Sequence, residues 1–303
     1  MTGIRRAAYR RVGVAAVVLA LSGCAAPGPI SGPSGTYAAH SSGGASGTQD
    51  EPGGMTRRGE TPPAASRLQP DPLTASDRPL RVVALGDSVP AGSACGCDPY
   101  PDLVADTLGS RTGRPASADN LAFGGADSSD VLAQVGDPTI ESSLATADVV
   151  LIEIGANDFD ESLADDPDCS DASCQHDVLA QLRPRLTAIV RTVQEVQRTS
   201  DARIVVMGYW NVFRDGAVGR SRGEAYVAGS AALTDAVNML TAEVARATDC
   251  LYADTLSPFK GPDGQTDATF ALSADGDHPN ARGHRLIADA VVEALADAGA
   301  LGG

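Results

Sequence analysis

Arg81-Val82-Val83-Ala84-Leu85-Gly86-Asp87-Ser88 decides how the rest of the chain is read. A short apolar run rich in β-branched residues ends at once in Gly-Asp-Ser. That is the pattern of a buried strand delivering a hydroxyl to the C-terminal edge of a sheet. In open α/β sheets ligands bind at that edge. Serine is also an ordinary turn residue. Ser88 is therefore a nucleophile candidate only if other segments supply a base, an orienting acid and donors for an oxyanion.

Working outward from Ser88, apolar runs recur at Val149–Ile154, Ile204–Tyr209 and Leu251–Ala253, with a weaker one near Asn120-Leu121-Ala122. Between them lie stretches with helical spacing: Pro99–Leu108, Val178–Val196, Ala225–Val244 and Ala281–Leu295. In the second of these, Leu182, Leu186, Ile189, Val190 and Val193 share one face. Strands alternating with helices predict an α/β domain: a mostly parallel central sheet with helices on both faces. One such domain is expected over residues 80–300, without internal repeats.

Three further blocks fall at strand ends or helix starts. Asn120-Leu121-Ala122-Phe123-Gly124-Gly125-Ala126-Asp127-Ser128 reads as strand end, glycine turn and helix start. Its glycines let backbone N–H groups approach a bound oxygen, although a βα turn alone also explains them. Leu151-Ile152-Glu153-Ile154-Gly155-Ala156-Asn157-Asp158 again runs from apolar strand to polar edge, where Asn157 can aim an amide N–H at an oxyanion, a contribution of about 3 kcal/mol to a transition state. Asp275-Gly276-Asp277-His278-Pro279-Asn280 precedes a helix, with Pro279 suited to its first turn. Asp275, three residues before His278, is spaced to hydrogen-bond one imidazole nitrogen while the other faces a serine hydroxyl. Imidazole changes charge near neutral pH, as a general base must.

These four blocks, in this order and spread over most of the segment from Leu80 to Leu295, resemble the GDSL/SGNH hydrolases. The resemblance implies a flavodoxin-like three-layer α/β/α sandwich, in agreement with the strand pattern. It also implies a serine esterase working through an acyl-enzyme, without cofactor. Residue by residue it implies Ser88 as nucleophile, His278 as base and Asp275 as its orienter. The oxyanion hole would comprise the backbone N–H of Ser88 together with Gly125 and Asn157. Gly124 stands where that family more often has serine, and Asp277 competes with Asp275 for the orienting role. An acyltransferase using the same serine and a catalytically silent binding lipoprotein are the alternatives.

The N-terminus adds an address. Arg5, Arg6, Arg10 and Arg11 precede the apolar run Val12–Leu21, too short to span a bilayer. Leu21-Ser22-Gly23-Cys24 follows. A basic head, a short apolar core and small residues describe an export signal over residues 1–23, and its ending resembles a bacterial lipobox. That resemblance implies lipidation of Cys24, with acyl chains such as palmitate anchoring the protein to the outer face of the cell membrane. Residues 24–79, rich in Gly, Ser, Pro, Ala and Thr, lack the apolar side chains to offset ordering entropy and read as a tether. Loss of the leader's four arginines takes the net charge from −16 to about −20. Such a surface argues against nucleic acid and against electrostatic docking on anionic lipid. The expected partners are a small-molecule, lipid or glycan ester and, through Cys24, the membrane; the chain is expected to be monomeric.

Six cysteines are present. With Cys24 lipidated, Cys169–Cys174 is the expected local disulfide, since export favours disulfides. Cys95 and Cys97 stand too close for an easy mutual bond, so one of them is expected to reach Cys250 or another partner. No cysteine spacing fits a structural zinc pattern. The acidic run Asp158–Asp171 lacks the glycine and glutamate of an EF-hand and reads as a solvated loop; no metal is expected. His284, in the last helix, is expected to be structural or exposed. Trp210, with Tyr209, Asn211 and Phe213, lines either a substrate pocket or the core.

Overall fold

The computed structural model describes residues 73–169, 171–198 and 202–302. The expected leader, Cys24 and most of the tether lie outside the described residues. Five strands form one sheet: β1 (Leu80–Gly86), β2 (Ala116–Asn120), β3 (Val149–Glu153), β4 (Arg203–Met207) and β5 (Leu251–Ala253). Their spatial order is β2-β1-β3-β4-β5, and every neighbouring pair is parallel.

The helices are α1 (Tyr100–Thr112), α2 (Ser128–Val135), α3 (Pro138–Ala145), α4 (His176–Val196), α5 (Gly216–Ser221), α6 (Glu224–Ala247), α7 (Leu256–Lys260) and α8 (Ala281–Asp297). Because side chains alternate along a strand, the apolar runs feed two cores. Val83, Leu85, Val150, Ile152 and Val206 pack with Val131, Leu182, Leu186, Val190 and Val237, under α2, α4 and α6. Val82, Ala84, Leu151, Val205 and Met207 pack with Val104, Leu108, Phe259, Ile287 and Val291, under α1, α7 and α8. The predicted three-layer α/β/α sandwich is the observed architecture.

The weak second strand is displaced from its expected place. It is Ala116–Asn120, and Leu121 and Ala122 already belong to the following loop. This edge strand reads Ala-Ser-Ala-Asp-Asn and alternates half-buried with exposed positions, so no apolar run marks it. Pro279 also moves: it precedes α8, whose cap is Asn280, accepting from the N–H groups of Arg282 and Gly283. Residues 73–79, expected in the tether, lie against the domain. Leu73 is buried, its N–H donates to the Ala300 carbonyl, and the Arg114 guanidinium holds the carbonyls of Leu73 and Arg78.

The strand order places the site. From β1 the chain goes out to β2 on one side, then returns to β3 on the other. The crevice at the C-terminal ends of β1 and β3 is the switch point at which doubly wound sheets bind ligands. Ser88 follows β1, and Asn157 follows β3.

Candidate active site

Gly86 makes the turn that presents Ser88. Its φ is +148°, and a Cβ there would overlap the Glu153 carbonyl oxygen of the neighbouring strand. Only glycine lets the two strand ends approach this closely. Asp87 then turns inward: its Oδ1 accepts from the Val89 N–H at 3.0 Å and its Oδ2 from the Tyr209 hydroxyl at 2.5 Å. Burial lifts the Asp87 carboxyl to about 6; the negative charge of Asp277 adds to the rise, while the Tyr209 and Val89 hydrogen bonds oppose it. Beside it Glu153, wholly buried, is raised well above the usual carboxylate range by burial and by the charge of Asp87. With Asp87 locked inward, Ser88 is left half-buried at the cleft.

The base candidate is held by its own loop. His278 Nδ1 lies 2.8 Å from Asp275 Oδ2. Asp275 Oδ1 in turn accepts the backbone N–H groups of Asp277 and His278, at 3.0 and 3.1 Å. Burial pushes the Asp275 carboxyl up, but these hydrogen bonds and the imidazole outweigh it and hold the group below its usual value. Asp277 stands 3.9 Å from the same nitrogen and burial raises its carboxyl. Of the two acids, Asp275 is the one that bonds the ring, leaving Nε2 as the nitrogen free to face a hydroxyl. The loop is tied to the segment after Ser88: Ser273 receives no slack, its N–H donating to the His278 carbonyl and its Oγ to the Ala94 carbonyl.

The two donor loops are stitched together. Asn157 Nδ2 donates to the Ala126 carbonyl at 2.8 Å, which leaves the amide its second hydrogen. Asp158, its side chain only 2% exposed, accepts from the N–H and hydroxyl of Ser128 and from Arg185. Phe123 N–H donates to the Gly86 carbonyl, bringing the Gly124-Gly125 turn beside the Ser88 turn. Among the described residues, neither the Ser88 N–H nor the Gly125 N–H donates to a protein acceptor. Ser88, Asn157 and Asp277 line one cleft of about 170 Å³, with Val89, Phe159 and Phe213.

The cysteines depart from expectation. Cys169–Cys174 is bridged, as the spacing suggested, but Cys95 and Cys97 are joined to each other and Cys250 is free. Gly96, at φ +62°, curls the loop so that the two Cα atoms stand 5.2 Å apart, nearer than the roughly 7 Å of an extended chain. The two sulfurs and a ring nitrogen of His284 lie within 4.8 Å of one another, but the sulfurs are committed to the bond. His284 is structural: fully buried, its Nδ1 accepts the Tyr100 N–H. Trp210 does both of its expected jobs, stacking on Phe259 at 4.6 Å in the core and lining the cleft. The bonds of Arg185, Ser128 and the Tyr209 hydroxyl have no signature in the sequence because each acts across at least 27 residues.

No curated protein matches the chain. Among solved structures, a lipase from a goat rumen metagenome superposes with a TM-score of 0.56 at 20% identity, over 71% of this chain and 97% of its own. A catalytic mutant of an acetylxylan esterase from Geobacillus stearothermophilus gives 0.52 at 18%, over 71% and 94%. At these identities the likeness is one of fold. The profile of the GDSL-like Lipase/Acylhydrolase family matches residues 84–286, from inside β1 into α8. That match spans all four blocks and two thirds of the chain, so the protein belongs to the GDSL-like lipase/acylhydrolase family and is a carboxylic ester hydrolase.

Proposed function

We propose that the protein is an exported serine esterase that forms its acyl-enzyme on Ser88. His278 takes the Ser88 hydroxyl proton as the oxygen attacks the ester carbonyl, and Asp275 holds the imidazole and stabilises its charged form. The N–H groups of Ser88 and Gly125 and the second amide hydrogen of Asn157 stabilise the tetrahedral oxyanion. On collapse the carbonyl–alkoxy bond breaks and His278 returns its proton to the leaving alcohol. Water, deprotonated by His278, then attacks the acyl carbonyl; as the acyl–serine bond breaks, His278 returns that proton to the Ser88 oxygen and the acid is released. No metal or cofactor enters. The protein is monomeric, reaches the cell exterior through the leader over residues 1–23, and is held at the membrane by lipid on Cys24.

The observation that carries the chemistry is the 2.8 Å bond between His278 Nδ1 and Asp275, in a loop pinned to the segment after a half-buried Ser88. A fluorophosphonate probe tests it. Labelling of the full chain at Ser88, lost in Ser88→Ala and in His278→Ala, is the expected result; a folded protein that stays unlabelled overturns the mechanism.

A further inference from the structure

A second, larger cleft of about 780 Å³ adjoins the catalytic one and shares Trp210 and Asn211 with it. It lies on the side of the base. One wall is the segment of Asp215 and α5, which is bonded directly to the loop carrying His278, the Asp215 N–H donating to the Gly276 carbonyl at 2.7 Å, and to the preceding 3-10 turn, the Ala217 N–H donating to Thr269 Oγ1 at 2.7 Å. The opposite wall is one face of α6, where Val227, Ala231 and Asp235 lie a turn apart and exposed. In ester hydrolysis the general acid must reach the leaving oxygen, so the alcohol part of the substrate lies on the side of the histidine.

The chemistry of this cleft selects the alcohol. Its three cations are already neutralised: Lys260 by Asp215, Arg220 by Asp267 and Arg214 by Glu161. No cationic side chain is left over for a phosphate or carboxylate. Among the described residues Asp235 and Asp263 have no cationic partner, so the lining carries a net excess of acceptors. The exposed Thr266 hydroxyl and the Gln265 amide add short-range polar groups, and Trp210 borders the junction with the catalytic cleft. A pocket of several hundred cubic ångströms encloses a ligand larger than one sugar ring.

Resting on the esterase reading above, we propose that this cleft is the leaving-group subsite and that it takes an uncharged, polyhydroxylated alcohol: the substrate is an O-acylated oligosaccharide. Carboxylates and hydroxyls that accept and share hydrogen bonds suit sugar O–H groups, whereas a glycerolipid chain would leave these polar groups unpaired.

Two experiments test the subsite. The first is calorimetric titration of the full-length Ser88→Ala protein with unacylated tetrasaccharides of xylose, glucose, mannose and N-acetylglucosamine. At least one should bind, and Ala231→Trp, which fills the cleft from an exposed position, should weaken it by about tenfold or more. The second is the ratio of kcat/KM on the O-acetylated tetrasaccharide to that on p-nitrophenyl acetate. It should fall by about tenfold in Ala231→Trp and in Asp235→Ala, and stay within about twofold in Met239→Trp, further along the same helix. Absence of binding by all four sugars, an unchanged ratio, or faster turnover of acetylcholine or a monoacylglycerol than of the saccharide esters would overturn the proposal. Loss of the esterase reading is told apart by p-nitrophenyl acetate: a wild-type protein inert on it, yet binding saccharide in a way that Ala231→Trp blocks, keeps the subsite and removes the catalysis.

Discussion

Asp158 accepts both hydrogens that Ser128 offers: Oδ2 takes the backbone N–H at 2.9 Å and Oδ1 takes the hydroxyl at 2.5 Å. Arg185 Nη1 reaches the same Oδ1 at 3.2 Å. Ser128 opens α2 directly after the Gly124-Gly125 turn, and Asp158 directly follows Asn157. The clamp therefore ties together the loops that carry two of the three proposed oxyanion donors.

Asp158→Ala should lower kcat on p-nitrophenyl acetate by about 10- to 100-fold with little change in KM, because misplaced donors fail in the transition state more than in the ground state. Asp158→Asn, which keeps one of the two acceptor oxygens but loses the charge facing Arg185, should recover part of the loss. A kcat within about twofold of wild type in Asp158→Ala would show the clamp to be only structural.

Asp275 and Asp277 flank the same imidazole but face it differently, at 2.8 and 3.9 Å. Asp275→Asn should cost kcat on the order of 10²-fold or more, since the ring loses both its tautomer lock and its compensating charge. Asp277→Asn should cost about tenfold or less. The reverse ranking would transfer the orienting role to Asp277.

Most of the fold was legible because strands and helices announce themselves through short-range periodicity. β1, β3 and β4 are buried on both faces and read as continuous apolar runs, and α4 keeps Leu182, Leu186, Ile189, Val190 and Val193 on one face. β2 lies outside its expected place because an edge strand of small and polar residues needs no apolar run. Among the candidate site residues, Ser88, Asn157 and the Asp275–His278 pair stand out in the sequence because each sits in a compact block at a strand end or helix start. The Cys95–Cys97 bond departs from expectation because its feasibility depends on the left-handed turn at Gly96, a dihedral that spacing does not encode. Arg185 brings no local signal, and Tyr209, legible only as a pocket or core aromatic, gives no hint of its bond to Asp87: one comes from mid-helix, the other from beyond β4, and only the folded sheet carries them to Asp158 and Asp87.

The proposed anchor is testable apart from the chemistry. With a net charge of −16 the chain has little electrostatic affinity for anionic lipid, so membrane attachment should depend on acylation at Cys24. Cys24→Ala should move the esterase from the membrane fraction to the medium, with the mass of the attached lipid missing from the mature N-terminus. A protein that fractionates identically and has the same mass in both forms would remove the lipoprotein assignment.

His284 should set the acid limit of stability. It is fully buried in α8, and its Nδ1 accepts the Tyr100 N–H at the start of α1, so neutral imidazole joins the two helices. Burial, and then the charge of His278, lower its pKa from the usual value near 6.5 to about 4. For a base depressed in the folded state, the stabilising neutral form is fully present above the unfolded value and is lost as pH falls toward the folded one. The native state therefore loses stability between about pH 6.5 and about pH 4, by on the order of 3 kcal/mol from this group. His284→Asn supplies an amide oxygen for the Tyr100 N–H and cannot titrate. Chemical denaturation at each pH should show the variant less stable than wild type above pH 7, as a smaller side chain in a packed core requires. The gap should then narrow or reverse as pH falls to 4. Parallel pH profiles for the two proteins would show that His284 titrates alike in the folded and unfolded chains, and would place the acid sensitivity elsewhere.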